Sequence, residues 1–282
     1  MKGARAGDER AAIEPAAIAR HLETTWLGRR LECFGEIDST NTTARKLAEA
    51  GAPEGTVVIA DSQRRGRGRL GRSWASPALR NLYLSFVLRP PLAPESAPQI
   101  TLVLGLAAAE AVREWTDEVA IKWPNDLVSR GCKLAGILTE MTADDGRIRF
   151  VIPGIGVNLN SEPEDFPPDV REVATSLRMI TGAPVDRARF AARLLNRLEV
   201  RYDLFLREGF AAIAPLWEGL AHLTGEAIVV QSQGERIAGT ALGLADDGAL
   251  RVRQSDGSER RIVAGDVTVV SGYRRSRATG AA

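Results

Sequence analysis

Between two β-prone runs, residues 56–60 (TVVIA) and 82–88, lies a tract that neither a stable helix nor a buried strand can accommodate. Residues 64–72 hold five arginines and three glycines in nine positions. Glycine weakens regular structure, and guanidinium groups are not buried without partners. The tract therefore has to be a loop on a domain that contains β-structure. Its glycines let backbone N–H groups approach an anion, and its arginines offer forked donors to phosphate or carboxylate. Five like charges repel one another, so the loop is expected to be mobile when empty and ordered when an anion neutralises it. A nucleic-acid-binding linker would share this composition, since short motifs discriminate poorly. Single-strand binders, however, interleave stacking aromatics with their charges, and here only Trp74 is close. With 37 basic and 36 acidic residues the net charge is +1, so no general basic field argues for nucleic acid.

The rest of the chain sorts by periodicity. Residues 31–37 read as a strand running into Asp38-Ser39-Thr40-Asn41, a helix-start cluster followed by Ala44, Leu47 and Ala48 and stopped at Gly51. Residues 82–88 alternate as a strand, 100–115 suit a buried helix, and 119–123, 134–140 and 148–152 are strand-like. Residues 187–208 place Phe190, Leu194, Leu198, Tyr202 and Phe205 on one helical face, closed by Gly209. After about His222 the rhythm shortens to strands at 227–231, 236–243, 250–254 and 259–263, separated by SQGE, ADDG and SDGS. That spacing predicts a small all-β barrel of about fifty residues. Residues 1–30, weakly helical over 15–27, are too short for a winged-helix module, and the basic tail 273–282 is expected to be disordered. The predicted division is an N-terminal extension (1–30), a main domain (31–221), a β-domain (222–272) and the tail. The longest apolar stretch, 102–109, is too short to span a bilayer. Cys33, Cys132, His21 and His222 lack zinc-site spacing, which favours a reducing cytoplasm.

Only four of the basic residues are lysine: Lys2, Lys46, Lys122 and Lys133. Where arginine serves as the generic cation, a lysine inside the fold suggests a position needing a compact ammonium. Lys122 begins KWPND, in which Pro124 ends a strand and projects Asn125 and Asp126. Lys133 opens KLAGILTE after the turn VSRGC, so the two lysines are expected near one another on a hairpin. Taken alone, Asn125-Asp126 could equally start a turn and Lys133 be a solvated edge charge. In GIGVNLN, Asn158 lies in an apolar run and is expected to be a buried amide with specific partners. The glycine pair before it marks a bulge or a close backbone approach.

In the order STN, QRRGRGRLGRSW, KWPND, KLAGIL and GIGVNLN, these segments resemble the catalytic core of biotin–protein ligases, over about residues 35–160. The resemblance implies an α+β fold, a mixed β-sheet flanked by helices with a small C-terminal SH3-like β-barrel. It implies that biotin and ATP, with Mg²⁺, form biotinyl-5′-adenylate, and that the biotinyl group passes to a lysine of a biotin carboxyl carrier protein. By position, Ser39, Thr40, Asn41 and Gln63 match contacts to the biotin head group, and Arg67, Gly68 and Arg69 match the loop over biotin and the phosphates. Lys133, with Arg69, matches the catalytic cations, Lys133 also gripping the biotin carboxylate. Arg69, Arg72, Trp74, Lys122, Asn125 and Asn158 match the nucleotide side. Asp126 is a metal candidate only by proximity, and the metal ligands stay unassigned. With only thirty residues ahead of the core, no repressor role and no nucleic-acid partner are expected. Residues 267–272 carry no base, which argues against nucleotide contacts from the β-domain. A lipoate-using ligase is the competing substrate class.

Overall fold

The computed structural model describes residues 12–270. A single helical turn, α1 (Pro15–Ala19), leads to β1 (Arg30–Ile37), α2 (Thr40–Glu49) and β2 (Thr56–Gln63). Then follow β3 (Leu82–Phe86), α3 (Ala97–Val112) and four strands, β4 (Ala120–Lys122), β5 (Asp126–Ser129), β6 (Cys132–Asp144) and β7 (Arg147–Val157). The helices α4 (Leu177–Thr181), α5 (Arg187–Glu208) and α6 (Ala214–Ala221) precede β8 (Ala227–Ser232) and β9 (Glu235–Leu244). The last strands are β10 (Leu250–Arg253), β11 (Glu259–Ile262) and β12 (Asp266–Val269). The tail 273–282 lies outside the described residues.

The first seven strands form one mixed sheet, ordered β1-β2-β3-β7-β6-β5-β4, in which only β1 and β2 run parallel. Alternation along the strands sorts side chains to its two faces. Val57, Ile59, Leu82, Leu84, Phe86, Val151, Ile155 and Val157 join the large core with α3 and α5. Val58, Phe150 and Ile152 meet Ala44 and Ala48 of α2 on the other face. With both faces covered, β2 is buried almost throughout, as expected of a strand apolar at successive positions. Hairpins β5–β6, β6–β7 and β8–β9 each close on two left-handed residues: Arg130-Gly131, Asp145-Gly146 and Gln233-Gly234. That turn matches the strands' own twist.

The second sheet is antiparallel, ordered β11-β10-β9-β8-β12, with no hydrogen bonds joining β11 to β12. β12 adds a fifth strand to the four that the sequence predicts. The sheet docks on the main domain through Trp123 Nε1, which donates to the Gly248 carbonyl (3.3 Å), and Leu244 N, which donates to Glu218 Oε1 (2.6 Å).

Two buried carboxylates fasten the edges. Asp61 on β2 meets Arg187 at the start of α5 at 2.8 Å, both side chains under one-tenth exposed. Glu199 on α5 accepts from the amides of Thr25 (2.5 Å), Trp26 (3.0 Å) and Leu27 (2.8 Å) and from the Thr25 hydroxyl (3.0 Å). The helix expected over 15–27 stops at Ala19; beyond it the Glu23 amide goes to Asn196 Oδ1 (2.9 Å), and those of Thr25, Trp26 and Leu27 to Glu199, rather than to carbonyls one turn back. Burial pushes the Glu199 pKa up, but the hydrogen bonds from Leu27, Thr25 and Trp26 outweigh it and hold the carboxyl below its usual range. A depressed folded-state pKa contributes stability above the unfolded value, about 4.3, and that stability is lost as pH falls through the folded value. Glu199→Gln should therefore cost on the order of 2 kcal/mol near neutral pH and remove part of the acid-range slope. Urea melts of both proteins between pH 3 and 7 check this; parallel curves would refute it.

Candidate functional site

A cavity of about 260 Å³ opens where α2, the ends of β2 and β5, the hairpin β6–β7 and the second sheet converge. Its floor is bare backbone. A Cβ on Gly154 would lie 1.8 Å from Asn41 Oδ1, and one on Gly156 would lie 2.5 Å from the Trp74 ring. The two glycines thus mark close approach within a continuous strand rather than a bulge.

One end of the cavity is polar and neutral. Ser39 begins α2 but, among the described residues, its side chain makes no capping bond, so its hydroxyl is left for the cavity it lines. Gln63 Oε1 accepts from the Thr40 amide (2.9 Å) and hydroxyl (3.2 Å), while Gln63 Nε2 donates to Ser76 Oγ (3.0 Å). Asn41 Nδ2 donates to Glu140 Oε2 (2.9 Å) and the Leu138 carbonyl (3.2 Å). Ser85 Oγ lies 2.7 Å from Thr40 Oγ1 and 2.6 Å from Asn41 Oδ1. Ser76, Ser85 and Glu140 are absent from the sequence-derived set. Ser85 alone left a signal, as a hydroxyl inside the apolar run LYLSFVL.

The other end is cationic. Lys133 Nζ pairs with Asp126 Oδ1 at 2.7 Å and lies 5.5 Å from the Trp74 ring centre. Trp74 lies over Gly136 and Gly156, and its buried Nε1 has no partner among the described residues. The arginine loop covers the opening as a small hairpin, Gly68 N donating to the Arg72 carbonyl (2.7 Å) and Trp74 N to that of Gly66 (2.9 Å). The repulsion that predicts a mobile empty loop is relieved by the protein's own acceptors. Arg64 pairs with Asp38 (2.8 Å) and Arg67 with Glu140 (2.6 Å). Arg69 donates to Asn125 Oδ1 (2.7 Å), and Arg72 pairs with Asp266 (2.8 Å), which also lies 3.5 Å from Arg69.

The structure brings Ser39, Thr40, Asn41, Gln63, Arg67, Gly68, Arg69, Arg72, Trp74, Asn125, Asp126, Lys133 and Asn158 to one cavity. Lys122 is not on its wall. Lys122 and Lys133 do not share a hairpin: β5 lies between their strands, and Lys122 is in register with Asp126. Two amides are committed to the scaffold. Asn125 Nδ2 donates to the Ile137 carbonyl (2.9 Å) and Asn158 Nδ2 to that of Thr175 (3.0 Å). The β-domain does reach the cavity, through an acid, Asp266, rather than a base. Asp266→Ala should speed hydrogen exchange at the Gly68 and Trp74 amides about fivefold, the effect of one partly exposed ion pair. Unchanged exchange would mean that the second sheet does not hold the loop.

The family model described as the biotin/lipoate A/B protein ligase family matches residues 34–158, the span that builds most of the sheet and cavity, and the biotin protein ligase C-terminal domain matches 224–270. The chain is 37% identical to the bifunctional ligase/repressor BirA of Bacillus subtilis, over 92% of this chain and 80% of that protein. It is 34% identical to the biotin–[acetyl-CoA-carboxylase] ligase of Mycobacterium tuberculosis, over 86% and 92%. Among solved structures, the biotin protein ligase from Aquifex aeolicus in complex with biotin and ATP superposes with a TM-score of 0.73 at 32% identity, over 88% of this chain and 100% of that one. The chain belongs to the biotin/lipoate A/B protein ligase family, and within it to the biotin–protein ligases.

Proposed function

We propose that this protein activates biotin with ATP to biotinyl-5′-adenylate and transfers the biotinyl group to a lysine of a biotin carboxyl carrier protein. The observation that carries this is the polarity of one cavity, with neutral hydrogen-bonding groups at one end and Lys133 with Arg69 at the other. A neutral bicyclic ureide suits Ser39, Thr40, Asn41 and Gln63, whereas lipoate has no ureido group for them to read. In the first step a carboxylate oxygen attacks the α-phosphorus and pyrophosphate leaves. In the second the carrier's amine attacks the acyl carbon, AMP leaves and the amine loses its proton. Both steps gather negative charge on oxygens where Lys133 and Arg69 supply fixed cationic donors. Gly68 allows the loop backbone close to the phosphates, Arg67 holds the loop over the head group, and Trp74 with Arg72 borders the nucleotide. Asn125 orients Arg69, and Asn158 braces the backbone at Lys133. Lys122, off the wall, has at most a long-range electrostatic part.

Mg²⁺ enters with ATP. The described residues offer no group of three metal-ligating side chains, and Asp126 and Asp266 are each paired with a cation. Substrate phosphates and water would then supply most of its ligands, and the ion would offset charge on the phosphate oxygens. Residues 31–221 are assigned to catalysis and 222–272 to closing the site. No helix among the described residues is long and apolar enough to cross a membrane, and we place the enzyme in the cytoplasm with its carrier.

Biotin-dependent exchange of labelled pyrophosphate into ATP, with lipoate in parallel, tests the assignment. Exchange with biotin alone supports it. Exchange with lipoate alone would reassign the substrate, and none with either would remove the activity.

A further inference from the structure

Glu140 closes the run KLAGILTE, where the sequence gives it no role, yet it joins three elements of the site. From β6 its carboxylate takes both Nη atoms of Arg67, at 3.0 and 2.6 Å, in a forked pair. It also accepts from Asn41 Nδ2 on α2 (2.9 Å) and lies 3.5 Å from Arg45. The Glu140 side chain is 21% exposed and that of Arg67 43%, so the fork is screened on one side only. The fork takes two of the five N–H donors of Arg67 and fixes the plane of its guanidinium. Its place in the loop is that of a strut.

The same carboxylate, with the Leu138 carbonyl, sets which way Asn41 faces. A carboxylate only accepts, so the amide must turn Nδ2 toward Glu140 and the Leu138 carbonyl, leaving Oδ1 for the Ser85 hydroxyl 2.6 Å away. A flipped amide would set its oxygen against three acceptors, since the Ile152 carbonyl is 3.5 Å from Nδ2 as well.

We propose that Glu140 is a positioning residue that couples closure of the arginine loop, through Arg67, to the orientation of Asn41 at the head-group end of the cavity. The strut stands on geometry alone, while its link to head-group binding rests on the biotin assignment. The test compares Glu140→Ala, Glu140→Gln, Arg67→Ala and the Arg67→Ala/Glu140→Ala double variant. Limited trypsin digestion of the ligand-free protein reads the loop, and the exchange assay reads KM and kcat. Cleavage within residues 64–72 should rise about tenfold in each single alanine variant and no further in the double one, as expected for loss of one charge-assisted fork. The KM for biotin should rise about tenfold with kcat within about threefold, because a positioning defect weakens binding rather than chemistry. Glu140→Gln preserves volume and guards against misfolding; it should show the same pattern. Arg45→Ala, which leaves the fork and Asn41 in place, should digest like the parent.

Unchanged cleavage in folded Glu140→Ala and Glu140→Gln would overturn the strut. Raised cleavage with unchanged KM for biotin would overturn the coupling. If the parent shows no biotin-dependent exchange, the substrate assignment and with it the coupling fail, while digestion still decides the strut.

Discussion

Lys133→Ala should reduce biotin-dependent pyrophosphate exchange by roughly 10²–10³-fold, the size expected for removing one fixed charge donor from a forming oxyanion. The fold should survive. The Lys133 side chain is 38% exposed and reaches Asp126 and the Trp74 face rather than the core. Partly exposed ion pairs and cation–π contacts each contribute about 1 kcal/mol or less. Lys133→Arg should not rescue the activity, because a planar guanidinium cannot replace a compact ammonium beside Trp74. Circular dichroism with the exchange assay separates the outcomes. Near-normal exchange in a folded Lys133→Ala protein would remove Lys133 from the chemistry while leaving the family membership intact.

The second large effect is expected from the smallest possible substitution. Gly154→Ala would set a methyl group 1.8 Å from Asn41 Oδ1, 2.8 Å from its Cγ and 3.1 Å from Ser85 Oγ. Gly154 has no left-handed backbone, so the cost is steric. Asn41 would have to leave, giving up Ser85, Glu140 and the Leu138 carbonyl together. Stranding even one buried polar group costs about 1–3 kcal/mol, so the affinity for biotin should fall about a hundredfold and the protein should lose at least about 1–3 kcal/mol of stability. Asn41→Ala combined with Gly154→Ala should restore much of the stability but not the affinity, since the space is regained while the head-group contact is not. Calorimetric biotin titrations and thermal melts measure the two effects. Unaltered affinity in Gly154→Ala would show that Asn41 does not form the head-group end.

The arginine loop, the start of α2 at Asp38-Ser39-Thr40-Asn41 and the apolar face of α5 were legible because each depends on neighbours within a few residues. The short strands after His222 were readable for the same reason. The glycines of GIGVNLN could be narrowed to a bulge or a close approach, but the choice needed Asn41 and Trp74, brought in from other elements. Lys122 and Lys133 looked alike in sequence. Only β5, by inserting itself between their strands, separates the lysine on the wall from the one off it.

Local chemistry therefore determined which segments could form strands, helices and an anion-seeking loop, since glycine, proline and apolar periodicity act at short range. Tertiary structure alone decided how the charges are spent. Asp266 meets Arg72 across 194 positions, Glu199 collects the amides of Thr25, Trp26 and Leu27 across more than 170, and Glu140 serves Asn41 across 99. Hydrogen bonds and ion pairs are selected by distances of about 3 Å in space, and nothing in the spacing along the chain records which distant carboxylate will arrive there.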